Sequence, residues 1–271
     1  MLERFVHTMT AFRQRVSAQE EEKMNLRDRE TRILDFLRER REITVSEVCR
    51  ELYVSEPTVR RALATLSELG MIIRTHGGAI YKGEPGENLP LSFREREHSD
   101  AKIAIAKKCL GLIRDGDVIM ADASSSALAL LRALPEGKNL TVITNSAKAA
   151  LILGDTSIKT FVTGGELACE SYAYVGGYAE SFIRSFHADV CFFSVRTLTP
   201  SGELTDNAVA ENALRRAMLD CSERRILMLD SQKIAPPCLN TLSTLADVDL
   251  VVSECDISEH FKDNREKFLL V

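Results

Sequence analysis

The sequence has 271 residues, with 45% hydrophobic and 28% charged side chains and a net charge of −5. This is the balance of an ordinary soluble globular protein, and it excludes a disordered, fibrous or collagen-like chain. No apolar run approaches the roughly 20 residues that span a bilayer, and residues 1–22 lack the apolar core of a signal peptide. Seven scattered cysteines without a Cys-x-x-Cys pair argue against structural zinc and a disulfide framework, so we expect a cytoplasmic protein.

The charge is divided unevenly along the chain. Residues 24–83 carry eleven basic and nine acidic side chains, whereas residues 84–271 carry twenty basic and twenty-seven acidic ones. A small basic module attached to a larger acidic one indicates that only the first approaches a polyanion. The basic side chains near the end of this module are Arg60, Arg61, Arg74 and Lys82.

Residues 1–23 precede the basic module as an N-terminal extension. They contain the apolar side chains Phe5, Val6, Phe12 and Val16. Three interpretations stay open for this segment: an amphipathic helix for self-association, an artefact of an upstream start, or a frayed tail.

Residues 24–83 predict three short helices followed by a hairpin. Thr44-Val-Ser-Glu47 is a capping-box signature that opens the second helix, Ser55 caps the third, and Gly70 ends it. The first helix places three apolar side chains together, namely Ile33, Leu34 and Leu37.

The third helix separates an apolar face from a polar one. Its inward side chains are Val59, Leu63 and Leu66, and its outward ones are Thr58, Arg60, Arg61 and Thr65. Two β-prone runs then meet at Gly77-Gly78 and predict a hairpin. This is the winged helix-turn-helix arrangement, in which the third helix fits the major groove and the hairpin lies along the phosphates. The alternative is a three-helix protein-binding module.

The candidate DNA-binding residues lie on the second and third helices and around the hairpin. His76 is expected to contact DNA or to cap the turn of the hairpin. The full set is Ser46, Ser55, Glu56, Pro57, Thr58, Arg60, Arg61, Arg74, His76 and Lys82.

Two stretches of this module carry a resemblance to a known family. Val54-Ser-Glu-Pro-Thr-Val-Arg-Arg-Ala-Leu63, followed by Gly70-Met-Ile-Ile-Arg-Thr-His-Gly-Gly-Ala79, resembles the N-terminal signature of DeoR/GlpR-type bacterial transcriptional regulators. The usual pattern has Asp where this chain has Ala62, a departure that leaves the architecture intact. The resemblance implies that residues 24–83 form a DNA-binding domain.

Residues 84–91 predict a linker, since they contain two prolines and a glycine and no apolar periodicity. Residues 92–271 follow as a second module. It begins with a helix capped by Ser99, whose apolar side chains at helical spacing are Ile103, Ala106, Leu110 and Ile113. Strands then alternate with helices, which implies an α/β fold with a mainly parallel sheet covered by helices on both faces. The predicted strands are 117–121, 140–144, 158–162, 190–194, 225–229 and 248–252.

Polar clusters follow four of these strands at the carboxyl end, where ligands bind in such sheets. They are Asp122–Ser126, Thr144–Ser146, Gly164–Glu166 and Asp230–Lys233. Hydroxyls and backbone N–H groups at helix starts favour an anion, glycine lets backbone approach a ligand closely, and Lys233 supplies a cation. One such cluster is an ordinary helix cap, but four together indicate a site for a small anionic polyol.

Residues 92–271 also resemble the sensor domain of DeoR-type regulators, whose fold is shared with ribose-5-phosphate isomerase-like enzymes. The resemblance implies that a phosphorylated sugar or related metabolite binds here as an inducer. The positions that match the family motifs are Asp122, Ser124, Ser125, Ser126, Thr144, Asn145, Gly164, Gly165, Glu166, Thr205, Asp206, Glu211 and Lys233.

Two departures from the sensor-domain pattern affect these residues. The glycine of the family motif is missing and is replaced by Ser124. Arg196 lies where the family has small, glycine-containing sequence, and it is either an extra phosphate ligand or a surface group.

Two classes of function fit these residues. The first is a transcription factor that binds operator DNA, and we expect it to repress a sugar-metabolism operon. It would act as a homodimer or homotetramer, because one winged module buries little surface. The alternative is a sugar-phosphate isomerase or transferase that uses Asp122, Asp206, Glu211 and Lys233 as acid, base and electrophile. The same groups suffice to bind a polyol phosphate without chemistry, and the histidines lack ligand spacing, so we expect no enzyme, metal or cofactor.

Overall fold

The computed structural model describes residues 26–68, 72–82, 91–135 and 137–270. The chain divides into two units, Met1–Glu87 and Asn88–Val271. The N-terminal extension, the helix end at Gly70 and residues 84–90 of the linker lie outside the described residues. No helix within the described ranges is long and apolar enough to cross a membrane.

The first unit is built from helices packed on a small antiparallel sheet of order β1-β3-β2. The predicted apolar faces are buried in one core, as expected for Leu37 on the first helix and Leu63 on the third. Its elements are α1 (Leu26–Arg40), β1 (Glu42–Thr44), α2 (Val45–Leu52), α3 (Glu56–Glu68), β2 (Ile72–Arg74) and β3 (Gly78–Tyr81). The winged helix-turn-helix prediction is confirmed.

The start and end of α2 follow from local chemistry. The backbone N–H of Glu47 donates to Thr44 Oγ1 at 3.2 Å, and the Thr44 N–H donates to Glu47 Oε2 at 2.7 Å. The predicted capping box is therefore confirmed, and these hydrogen bonds hold the pKa of the Glu47 carboxyl below its ordinary value. Tyr53 ends the helix with a φ of +54°, in the left-handed region.

Gly78 differs in role from the predicted hairpin turn. The turn lies at Thr75–Gly77, closed by the Thr75 N–H donating to the Gly78 carbonyl at 3.1 Å, and Gly78 is already the first residue of β3. It pairs with Thr44 of β1, a strand that the sequence did not predict. A Cβ atom at Gly78 would lie 1.9 Å from the carbonyl oxygen of Ile43, whereas one at Gly77 would meet nothing. The close approach of two strands therefore requires Gly78.

Gly78→Ala is expected to destabilise the first unit by about 3 kcal/mol, the upper end of overpacking costs, because the backbone of β1 must move. Hydrogen exchange of peptides from residues 26–68 and 72–82, measured in increasing urea, gives the free energy of unfolding. Gly77→Ala is the matched control and should change it by less than about 0.5 kcal/mol. Equal effects of the two substitutions would contradict the assigned role of Gly78.

The second unit alternates strands and helices as predicted. Its helices are α4 (Leu91–Arg96), α5 (Ser99–Leu110), α6 (Ser125–Arg132), α7 (Ala147–Gly154), α8 (Gly177–Ile183) and α9 (Val209–Asp220). Its strands are β4 (Val118–Ala121), β5 (Thr141–Thr144), β6 (Lys159–Val162), β7 (Glu166–Ala168), β8 (Ala173–Val175), β9 (Ala188–Phe193), β10 (Thr197–Leu198), β11 (Glu203–Asp206), β12 (Ser222–Met228), β13 (Asn240–Thr244), β14 (Leu250–Ser253) and β15 (Phe268–Leu270).

Seven of these strands form one sheet of order β15-β14-β12-β9-β4-β5-β6, and every pairing in it is parallel. Neighbouring residues on a strand point to opposite faces. Ile119 accordingly packs in the core beneath α5, α6 and α7, and Met120 packs in the core that contains α8 and α9. From the middle of the sheet, β4, β5 and β6 follow one another outward in one direction. The strands β9, β12, β14 and β15 follow one another outward in the other. The crevice between β4 and β9 is therefore the topological switch point, where such sheets bind ligands.

The face that α5 buries is rotated from the predicted one, so that Ala106 and Ile113 are buried as predicted but Ile103 is not. Ile103 is 48% exposed, whereas Lys102 is 4% exposed and lies on the buried face with Ile105 and Cys109. The helix follows His98, which adopts a left-handed conformation and makes no side-chain cap, so the cap predicted at Ser99 is wrong. The sequence pattern predicted Ile103 on the buried face because a lysine is seldom buried without hydrogen-bond partners. Lys102 has such partners.

Candidate functional site

Asp122 lies at the end of β4, directly at the switch point, and its carboxylate is enclosed. Its Oδ2 atom accepts from Arg215 Nε at 2.9 Å and from the Ser194 backbone N–H at 3.4 Å. Its Oδ1 atom accepts from the Ser124 backbone N–H at 3.2 Å. Both members of the ion pair are at most 4% exposed. The carboxylate of Asp122 is therefore committed to protein donors.

Arg215 belongs to α9 and extends this contact to the antiparallel sheet β10-β11-β13. Its Nη1 atom donates to Asn212 Oδ1 at 2.5 Å and lies 3.6 Å from Asp206 Oδ2. Burial alone would lower the pKa of Arg215, but the carboxylates of Asp122, Asp206 and Glu211 raise it above its ordinary value. The guanidinium therefore stays charged inside the protein.

Lys233 is the cation at the end of β12. Its Nζ atom donates to Ser194 Oγ at 2.8 Å and lies 3.6 Å from Asp230 Oδ2. The Ser194 hydroxyl donates in turn to the Met228 carbonyl at 2.6 Å. Burial lowers the pKa of Lys233, and attraction to Asp230 opposes that effect only in part. The ammonium is thus held at the end of the central strands.

Three buried polar atoms at this edge have no hydrogen-bond partner among the described residues. They are Ser126 Oγ at the start of α6, Asn145 Oδ1 after β5 and Asp230 Oδ1 after β12. All three residues are at most 3% exposed. An unsatisfied buried polar group costs about 1–3 kcal/mol, and such groups call for an explanation such as a ligand or water.

Lys102 is a cation that sequence reasoning missed. Its ammonium donates to the carbonyl of Arg94 and, at 2.5 Å, to that of Glu97. Burial and the nearby ammonium of Lys233 lower the pKa of Lys102 to about 8. A usable signal existed in the topology: a helix that precedes a strand of a parallel sheet starts at the carboxyl edge, where the predicted clusters lie.

Several predicted ligand residues already bond to the protein backbone. The hydroxyls of Ser124 and Thr144 accept from N–H groups two or three residues ahead, at 3.1 Å in both cases. Thr205 Oγ1 accepts from the Cys238 N–H at 2.9 Å, and Asp206 Oδ1 accepts from the Asn207 N–H at 2.8 Å. These residues shape the ends of their strands. Their contact with a ligand stays a prediction.

The predicted ligand residues that follow β6 are two glycines and a glutamate, and their contacts differ from those of the residues above. Gly164 and Gly165 adopt positive φ values of +64° and +113°, and a Cβ atom at Gly165 would lie 2.6 Å from the Val175 carbonyl. The close backbone approach predicted here is therefore to β8. Glu166 opens β7 and is exposed.

The remaining predicted ligand residues are Ser125, Arg196 and Glu211. Ser125 is buried, and Glu211 lies in the first turn of α9 and is half-buried. Arg196 is half-buried and makes no ion pair or side-chain hydrogen bond with any residue that the structure describes. Both interpretations of Arg196 stay open.

The outward face of α3 carries the predicted polar and basic side chains. Arg60 and Arg61 are exposed, and Arg60 Nη2 lies 3.5 Å from Glu56 Oε2, one turn earlier. The hydroxyls of Ser55 and Thr58 lie 2.9 Å apart at the start of the helix. Pro57 is exposed beside them.

Residues of the hairpin flank this face. Arg74 Nη1 donates to the Arg60 carbonyl at 3.1 Å, so the hairpin is tied to α3 by a candidate DNA-binding side chain. His76 lies exposed in the turn, and Lys82 lies exposed after β3. Ser46 lies exposed on α2, its hydroxyl 3.3 Å from that of Thr44.

Within the ranges described, no group of three His, Cys, Asp or Glu side chains is placed to hold a metal. In the alternative of a sugar-phosphate isomerase or transferase, Asp122 was a candidate acid or base. Asp122 would have to break an enclosed ion pair with Arg215 to act as a base.

Comparisons with known proteins match both units. Residues 29–84 match the DeoR-like helix-turn-helix domain family, and residues 97–254 match the DeoR C terminal sensor domain family. The HTH-type transcriptional regulator GolR of Listeria innocua is 32% identical over 86% of this chain and 92% of its own. The L-fucose operon activator of Haemophilus influenzae is 30% identical over 90% and 96%. The lactose phosphotransferase system repressor of Lactococcus lactis is 32% identical over 78% and 84%.

Among solved structures, ribose 5-phosphate isomerase A of Methanocaldococcus jannaschii is similar, with a TM-score of 0.39 and 16% identity. The similarity covers 51% of this chain and 55% of the isomerase. A likeness at this level says nothing about activity.

Arg215→Met is expected to destabilise the second unit by about 3–5 kcal/mol, because it leaves the carboxylate of Asp122 buried without its charged partner. Urea unfolding followed by hydrogen exchange of peptides from residues 137–270 measures the loss. Arg184→Met removes an Arg–Asp pair that is about half exposed on both sides, and it should cost about 0–1 kcal/mol. A loss at Arg215 no larger than that at Arg184 would contradict the central role of the buried pair.

Proposed function

Since the chain belongs to the DeoR family of transcriptional regulators, we propose that it represses a sugar-metabolism operon and that a phosphorylated sugar controls its affinity for operator DNA. The family is one of DNA-binding regulators and not of enzymes. Residues 24–83 would be the DNA-binding domain and residues 92–271 the effector domain. The observation that carries the proposal is the half-buried cation Lys233 at the same edge of the sheet as three buried polar atoms that lack a hydrogen-bond partner among the described residues.

The effector site offers complementary groups to the two ends of a sugar phosphate. Lys233 and the backbone N–H groups at the start of α6 favour the phosphate. The free atoms of Ser126, Asn145 and Asp230 suit the hydroxyls of the sugar, since a hydroxyl can both donate and accept. The ligand would supply the hydrogen bonds that these atoms lack.

The DNA-binding side of the proposal rests on α3 and the hairpin. Exposed side chains of α3 would contact base edges in the major groove, with Arg60 and Arg61 among them. Arg74 and Lys82 would contact phosphates on either side, which fixes the orientation without reading sequence. One such module buries little surface, so the proposal includes a homodimer or homotetramer on repeated half-sites.

We propose that the chain represses transcription and that the ligand relieves this repression. A ligand changes DNA affinity only by binding one arrangement of the protein better than another. Relatives include a repressor of a sugar phosphotransferase system and an activator of a sugar operon. Release of operator DNA on addition of the sugar phosphate is the expected result, and tighter binding would make the chain an activator or a corepressor-dependent repressor.

Thermal unfolding of the full chain tests the effector site. The panel consists of ribose 5-phosphate, fructose 6-phosphate and glycerol 3-phosphate, each beside its unphosphorylated counterpart. A ligand present at 100 times its dissociation constant should stabilise the chain by about 2.7 kcal/mol, a shift of several degrees. Lys233→Met should abolish the shift, because it removes the cation that faces the phosphate.

The control for this experiment is Lys107→Met, which removes an exposed lysine from α5. It should leave the ligand-induced shift unchanged. Equal stabilisation by sugars with and without phosphate would contradict the anion site, as would an unchanged shift in Lys233→Met.

Arg61→Ala is expected to weaken binding to DNA by at least ~1 kcal/mol and to reduce the salt dependence by about one counterion, because it removes a cation from the outward face of α3. Fluorescence anisotropy with a duplex selected by the protein from a random pool, repeated at several salt concentrations, measures both. Arg184→Ala makes the same charge change on the second unit and should leave both quantities unaltered. Unchanged affinity and slope in Arg61→Ala would remove this residue from the interface.

A further inference from the structure

The β7–β8 hairpin lies over the ends of β4 and β5 as a two-stranded sheet of its own. Ala123 follows Asp122 at the end of β4, and it packs against Ala173 and Val175 of β8 in a small buried cluster. Ser146, which follows β5, forms an antiparallel bridge with Ala173. The hairpin is therefore a separate element on the edge of the large sheet at which we place the effector site.

The side chain of Asn145 joins the hairpin to this edge. Its Nδ2 atom donates to the Tyr174 carbonyl at 3.1 Å, and the Tyr174 N–H donates to the Asn145 carbonyl at 2.7 Å. The Ala147 N–H donates to the Tyr172 carbonyl at 2.9 Å. Asn145 is 3% exposed, and its Oδ1 atom has no partner among the described residues. One atom of this amide thus bonds to the hairpin while the other is free to accept from a ligand.

The turn of the hairpin contacts α4, the first described element of the second unit. The Leu91 N–H donates to the Glu170 carbonyl at 2.7 Å. Leu91 begins α4, where a backbone N–H finds no acceptor within the helix, and its side chain is fully buried. A helix of six residues has little stability of its own. The hairpin therefore holds the start of α4 at one end and contacts Asn145 at the other.

The hairpin is short and tightly closed. Its strands pair in register as far as Ala168 and Ala173, so the turn consists of residues 169–172. Tyr172 adopts a φ of +50°, a left-handed conformation that is costly for a tyrosine and persists only where the surroundings hold it. Because the turn is held in this way, a constraint on β8 also reaches the Glu170 carbonyl.

We propose that the β7–β8 hairpin transmits occupancy of the effector site to α4, through Asn145 at one end and Leu91 at the other. This inference rests on the proposed function, because it needs a ligand that bonds to the free oxygen of Asn145. The amide group is planar, so a hydrogen bond to its Oδ1 atom also restricts the Nδ2 atom that donates to Tyr174. The hairpin, and with it the Glu170 carbonyl, would then hold the start of α4 more firmly. A ligand that favours this arrangement shifts the population toward it.

Hydrogen exchange in the full-length wild-type chain tests the path. The ligand is the panel member that stabilises the chain in thermal unfolding. It should slow exchange of the amides in residues 166–175 and in residues 91–98 by about fivefold each, the effect of one hydrogen bond of average strength. Both segments should respond with the same dependence on ligand concentration.

Leu91→Pro breaks the link between the hairpin and α4. Proline lacks the N–H that donates to Glu170 and is tolerated at the first position of a helix. The matched control is Leu91→Val, because valine has as many side-chain carbons as proline and keeps the N–H. The ligand should slow residues 166–175 in both variants, but residues 91–98 only in Leu91→Val. It should also change the affinity for DNA in Leu91→Val and leave it unchanged in Leu91→Pro.

The outcomes separate this inference from the proposed function. Residues 91–98 that exchange fast in free Leu91→Pro but not in free Leu91→Val would support the role of the hairpin in holding α4. Ligand binding to the wild type with unchanged exchange in either segment would overturn the inference while the proposed function stands. Equal responses of the two variants to the ligand would do the same. If no phosphorylated member of the panel stabilises the wild type, the proposed function fails and this inference fails with it.

Discussion

The enclosed ion pair between Asp122 and Arg215 is the interaction on which the geometry of the second unit depends. Removing two charges from water is costly, and only close contact with additional hydrogen bonds offsets that cost. Here the carboxylate also accepts from the backbone of Ser194 and Ser124, and the guanidinium also contacts Asn212 and Asp206. The pair therefore joins the ends of β4 and β9 to α9 and to the antiparallel sheet β10-β11-β13. Because the pair is neutral as a unit, it adds no net charge to this edge of the sheet, where Lys233 supplies a cation.

The same edge combines rigid and unsatisfied groups, which is the pattern of a binding site. The ion pair and the capped starts of α6 and α7 fix the backbone, while Ser126, Asn145 and Asp230 each keep a buried polar atom without a protein partner. Each such atom lowers the stability of the empty protein. A ligand that forms hydrogen bonds with these atoms would remove that cost to stability. Its binding would also be tighter because the site is already shaped and loses little conformational entropy when the ligand binds.

Much of this was predictable from the sequence, and the exceptions have a common cause. Alternating strands and helices predicted the parallel sheet, and the polar clusters after its strands predicted the edge at which we propose that a ligand binds. Arg215 stayed hidden because its partner Asp122 lies 93 residues away in the sequence, and periodicity reports nothing about such contacts. Lys102 was missed because apolar periodicity assigns a lysine to the solvent face. Gly78 was placed in a turn because its true neighbour, Ile43, belongs to a strand of three residues, too short to show alternation.

Control of DNA by a small molecule requires an element whose state both sites bias. The chain passes from the helix-turn-helix domain through the predicted linker into the second unit, whose first described element is α4. The covalent path between the two units therefore enters the second one at α4. A helix of six residues has little stability of its own, and it depends on its anchors, Glu95 and Lys102. Glu95 forms ion pairs within the protein, and the Lys102 ammonium donates to the carbonyls of Arg94 and Glu97. A short helix held by two charged side chains is therefore an element whose stability depends on the state of its anchors.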